Sequence, residues 1–164
     1  MAGLAWVIII GVPVALFIIV TSLGKQRNNR LVEEGKIINR DISFVESAQI
    51  FILKKVDFPT VVSTLKAMDV SSIGLSWESK GATKTVFFSS SHGWSAQLLA
   101  QKSEVEQSIY YFQFTHWKTR HSIPWRVDTM NMLLTVVEKV FLSLDPSTQV
   151  QTTGLKIKTK TDIL

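Results

Sequence analysis

The stretch GLAWVIIIGVPVALFIIVTSL, Gly3 to Leu23, runs 21 residues without a charged side chain. At about 1.5 Å of rise per residue such a helix is roughly 31 Å long, the thickness of a bilayer's hydrocarbon core, so a single transmembrane helix is predicted there. Gly11 and Pro13 would weaken a helix in water, but membrane spans tolerate both, and Trp6 near one end suits an interfacial anchor. A cleaved secretory signal is the rival expectation. It wants a positive leading region, a shorter apolar run and an A-x-A-like cleavage site, and VTSLG supplies no such site. The chain has no cysteine, which removes the acylated cysteine of a lipoprotein, disulfides, thiolate metal sites and a cysteine nucleophile.

Directly behind the span, GKQRNNR places Lys25, Arg27 and Arg30 with no acid among them, whereas the leading side has no charged side chain. The positive-inside rule then predicts an amino terminus outside and a cytoplasmic carboxy-terminal domain in the cell membrane. Three cations fall short of the polybasic clusters that recognise lipid headgroups, so their expected role is to set topology. The expected organisation is an anchor at 1–24, a juxtamembrane basic segment and stalk at 25–46, and a domain at 47–164. RLVEEGKIINRD, with Gly35 inside it, extends the helix and then breaks it.

The chain is 46% apolar and 19% charged, too hydrophobic for disorder. Its net charge of +5 resembles a nucleic-acid binder's only until it is divided along the chain. Residues 41–164 carry 13 basic and 11 acidic side chains, an ordinary surface that excludes an electrostatic footprint for a polyanion.

An α+β domain of two layers is predicted: an antiparallel sheet of about five to six strands with two packed helices, in the order β-α-β-β-β-β-α-β. AQIFILKK (48–55) reads as a strand. Asp57 caps a helix in which Phe58, Val61, Val62, Leu65 and Met68 recur at helical spacing. Ile73, Leu75 and Trp77 then alternate with polar residues, and turns at Lys80-Gly81, His92-Gly93 and 102–107 link four strands into a meander. Met130, Leu133, Leu134, Val137, Val140, Phe141 and Leu144 form one helical face, with Asp128 as its expected cap, Pro146 as its stop, and Asn131, Thr135, Glu138 and Lys139 on a solvated back. QTTGLKIKTKTD (151–162) is the last strand, its lysines 156, 158 and 160 expected to protect a sheet edge.

The most concentrated chemistry is FTHWKTRHSIPW, residues 114–125. Strict alternation would put Tyr110, Phe112, Phe114 and His116 on the core face and Tyr111, Gln113, Thr115 and Trp117 on the other, with Pro124 setting the helix's approach and Trp125 covering the core's edge. Trp117, Lys118, Arg120, His121 and Trp125 are the candidate binding residues, because tryptophan and arginine favour interface centres. A metal site needs three or four ligands in a recognisable spacing, and His92, His116 and His121 do not supply one. Ser89, Ser90, Ser91 and His92 are adjacent without a nucleophile motif around them, and no phosphate loop or dinucleotide fingerprint occurs. No catalytic residue, metal or cofactor is expected, nor nucleic acid as a partner. The expectation is a membrane-anchored, non-catalytic protein-binding or scaffolding module, held in lipid by residues 3–23 and open to homo-oligomerisation. The alternative is a ligand-binding or enzymatic domain with a pocket between the carboxy-terminal helix and the sheet.

Overall fold

The computed structural model describes residues 29–68, 70, 73–101 and 106–155, and the backbone of 159–162; the expected span, with Lys25 and Arg27, lies outside them. Among the described residues no helix is long and apolar enough to cross a membrane. The chain divides into two units, Met1–Ile38 and Asn39–Leu164. In the first, residues 29–33 are helical and stop at Gly35, whose φ of 65° is the left-handed conformation that glycine adopts without strain. The Gly35 N–H bonds Val32 O and the Lys36 N–H bonds Leu31 O, each at 2.9 Å, the paired bonds of a Schellman stop. Arg30 lies 3.4 Å from Glu34 across one helical turn.

The second unit is α+β, and its sheet is larger than the sequence suggests. Eight strands are described: β1 (Ser47–Lys54), β2 (Leu75–Lys80), β3 (Thr85–Ser90), β4 (Ser95–Ala100), β5 (Gln107–Arg120), β6 (Ile123–Pro124), β7 (Gln149–Gly154) and β8 (Thr159–Asp162). They run in the order β2-β3-β4-β5-β1-β7, with β6 and β8 also on β5. The β2-to-β5 meander is as predicted. All pairings are antiparallel except β5 with β8.

The expected last strand is in fact two. β7 pairs with β1 until Gly154 meets Ser47, where β1 begins. β8 runs parallel to β5 and takes the place beside it past the start of β1, pairing Thr159 with His116 and Asp162 with Thr119.

Helix α1 (Phe58–Ala67) starts as the sequence dictates: the Asp57 carboxylate accepts the Thr60 N–H at 3.0 Å, and Pro59 sits in the first turn. Helix α2 (Val127–Leu144) does not. Asp128 lies inside its first turn, and the capping position belongs to Arg126, which is left-handed at φ 58° and pairs with Asp128 at 3.4 Å. The Trp94 indole N–H donates to Thr129 Oγ1 at 2.9 Å, and that hydroxyl donates to Arg126 O, so a core tryptophan from the β3–β4 turn holds this helix start.

Between α2 and the sheet the space is filled with aromatic rings. Phe51 stacks on Phe141 at 4.4 Å, Tyr110 meets the same ring at 5.0 Å, and Phe112 stands edge-on to Phe114. A short 3-10 helix, Ile42–Glu46, capped by Asp41, packs Phe44 edge-on against Phe114 at 6.0 Å.

The expected solvated back of α2 is a correction. Asn131 and Thr135 are buried, because Arg40 lies across them. Its guanidinium donates to Asn131 Oδ1, to Thr135 Oγ1 at 3.0 Å and to Glu138 Oε2.

Candidate functional site

Strand β5 carries the candidate residues, and one irregularity decides where each points. Ser95 pairs with His116 whereas Ala96 pairs with Phe114, so β5 has one residue too many opposite β4. This is a β-bulge, and it reverses the alternation beyond it. Tyr110, Phe112 and Phe114 face the core as expected. Past the bulge, Trp117 and Thr119 face it too, at 0% and 3% exposure. His116, Lys118 and Arg120 therefore take the outer face. Trp117 drops out of the binding set for this reason: its ring belongs to the core and presents nothing to a partner.

The rest of the stretch is a tight hairpin. Thr119 pairs with Pro124, Arg120 with Ile123, and the Trp125 N–H bonds Lys118 O at 2.8 Å. His121 and Ser122 form the two-residue turn, both with positive φ at 50° and 64°. Two left-handed central residues are the signature of a type I′ turn, which matches the twist of the strands it joins.

Alternation then gives the hairpin two faces. Thr119 and Pro124 look inward, while Lys118, Arg120, Ile123 and Trp125 share the outside. The Arg120 guanidinium lies 5.8 Å over the Trp125 ring. The Lys118 stem lies over Gly93, where an added Cβ would sit 3.0 Å from its Cδ and Cε. Ile123 is 57% exposed and Trp125 39%, so Trp125 stands outside and does not cover the core's edge. Among the described residues no carboxylate pairs with Lys118 or Arg120. Ile123 is the member of this face that sequence reasoning misses. Its place beside Arg120 follows only once His121-Ser122 is recognised as a turn.

A second feature is the sheet edge at β2, which has no strand beyond it among the described residues. Two adjacent depressions, of about 460 and 440 Å3, lie along β2 and β3 and share Ser76 and Ser89. The larger also reaches Trp77, Glu78, Phe87 and Thr115. The Ser91 N–H bonds Gly74 O at 3.1 Å, and Leu75 pairs with Ser90 in the next step. Antiparallel ladders alternate, so Gly74, Ser76, Glu78 and Lys80 bond β3, while Leu75, Trp77 and Ser79 turn their amides outward.

The other clusters have structural explanations. The Ser90 hydroxyl is buried, donating to Ile73 O at 3.3 Å and accepting from the His92 N–H, so it braces the β3–β4 turn. Among the described residues no three His, Asp or Glu side chains come together as a metal site. A crevice of about 300 Å3 lies where α2 meets the sheet margin, lined by Arg40, Ser43, Gln49, Glu138 and Thr152 among others, with the Arg40 guanidinium already taken up by α2.

Asp145, just past α2, accepts the Lys54 N–H at 2.9 Å and both the N–H and hydroxyl of Ser147. Those bonds, the Lys54 amide first, hold its carboxyl down at about 2. Burial, and secondarily the Asp57 charge, pushes the Tyr110 hydroxyl up to about 12; it donates to Val56 O at 3.0 Å. No protein-family model and no curated protein sequence matches this chain, so the geometry alone carries its functional reading.

Proposed function

We propose that this chain is a membrane-anchored, non-catalytic module that binds an extended segment of another protein by adding it as a strand to β2. The anchor is the apolar run at 3–23, with the α+β domain on the cytoplasmic side. The observation that carries strand addition is the outward row of amides at Leu75, Trp77 and Ser79, flanked by depressions that reach the half-buried Trp77 and the exposed Phe87. Main-chain hydrogen bonds supply affinity in this mode of recognition, and alternate side chains dropping into such depressions supply specificity. The opposite edge, β7, is a weaker template, because Val150 is its only apolar residue.

The test uses Ser79→Pro. Proline there removes an outward N–H and leaves the β2–β3 ladder intact. With a photo-crosslinking residue at Glu78 in the full chain in its native membrane, a specific adduct forms that Ser79→Pro abolishes. An adduct indifferent to Ser79→Pro excludes strand addition. An adduct of twice the chain's mass identifies a second copy as the partner.

A further inference from the structure

The outer face of the 118–125 hairpin has a composition that neither the core nor the β2 edge explains: two cations, Lys118 and Arg120, beside two exposed apolar residues, Ile123 and Trp125. We infer that this face seats on the surface of an anionic phospholipid bilayer. The inference rests on the anchored reading of the chain and is independent of strand addition at β2.

Charge complementarity is the first support. Lys118 and Arg120 lack carboxylate partners among the described residues, and β8 sets Thr161 at the register position of Lys118 and its one acid, Asp162, at that of the inward-facing Thr119. Cations at headgroup depth attract anionic lipid, while tryptophan with an aliphatic neighbour suits the layer beneath the phosphates.

The second support is where the chain enters its own domain. Arg40 is bonded to Asn131, Thr135 and Glu138 along the middle of α2, and Phe44 packs on Phe114 midway along β5. The hairpin finishes β5 and immediately precedes α2. The segment that follows Asn39 thus lies against the two elements, β5 and α2, that flank the hairpin.

The third support is size. Two cross-strand pairs cover far less than the roughly 800 Å2 per partner that a stable protein interface buries. A tethered domain needs no such area, because the tether makes the contact intramolecular and supplies a high effective concentration.

A nitroxide at Ile123→Cys tests this, since the chain has no other cysteine and the position is exposed. The full chain is reconstituted into phosphatidylcholine vesicles with and without phosphatidylglycerol. With anionic lipid, the label is expected below the phosphates, accessible to oxygen and shielded from a water-soluble nickel chelate. Lys118→Gln and Arg120→Gln should each lower the ratio of dipped to free label about fivefold. A label that stays in water in both lipids overturns the inference. So does a label slowed but shielded from oxygen and nickel alike, which reports a protein contact. A chain that fails to float with either vesicle overturns the anchor, and the bilayer seat with it.

Discussion

Arg40 does more for this fold than its position in a linker suggests. Its side chain is 13% exposed, as is that of Glu138, and three acceptors on α2 take up its guanidinium. Arg40→Met removes the counter-charge from a largely buried carboxylate, and such a loss exceeds what one neutral hydrogen bond contributes. Stability should fall by about 2–4 kcal/mol in chemical denaturation, and Arg40→Met combined with Glu138→Leu should recover a good part of it. A cost in the double variant equal to that of Arg40→Met alone would show that the pair's charge is irrelevant. None of this is legible in the sequence. Asn131, Thr135 and Glu138 make a polar stripe at i, i+4 and i+7, and such a stripe looks the same whether its partner is water or an arginine 91 residues away. Asp57 is the opposite case, because a helix cap acts within three residues and is therefore written locally.

Among the elements, periodic ones are legible in the sequence and interrupted ones are not. α1, α2 and the meander follow from the spacing of Val61, Val62 and Leu65, of Leu133, Val137 and Val140, and of Leu75 and Trp77. The bulge in β5 leaves no mark in the sequence, since one extra residue in a strand changes parity without changing composition. That single residue moves Trp117 to the face opposite the expected one and hides the row of Lys118, Arg120, Ile123 and Trp125. The hairpin escapes sequence reasoning for another reason: its turn residues, His121 and Ser122, are not those a type I′ turn favours. Both are nonetheless held at positive φ, where an L side chain is strained. The double substitution His121→Asn with Ser122→Gly installs the favoured pair and should raise stability by about 1 kcal/mol, read as a later denaturation midpoint with an unchanged slope. No gain would mean that the native turn is not of this type.

Across the domain, two hydrogen-bonding groups among the described residues link stability to pH, one on the acid side and one on the alkaline side. Asp145 ties the end of α2 to the end of β1 through the Lys54 N–H, and Tyr110 ties β5 to the start of α1 through Val56 O. The Asp145 carboxyl is depressed from 3.8 to about 2, so the folded state holds it ionised where the unfolded chain has begun to bind a proton. Its stabilisation is complete above the unfolded value and is lost as pH falls through the folded one. Tyr110 works in the other direction. Its hydroxyl is raised from 10.0 to about 12, so the unfolded chain releases that proton first and stability declines as pH climbs through this range. Asp41 and Asp57, lowered by their capping bonds to Ser43 and Thr60, add to the acid limb. Denaturation midpoints measured against pH should therefore form a plateau that falls below about 4 and above about 10. Asp145→Asn should lower the plateau and flatten the acid limb while leaving the alkaline limb in place. Tyr110→Phe should flatten the alkaline limb alone. An acid limb equally steep in Asp145→Asn would assign it to the capping aspartates, and the link between α2 and β1 would then not depend on the carboxylate's charge.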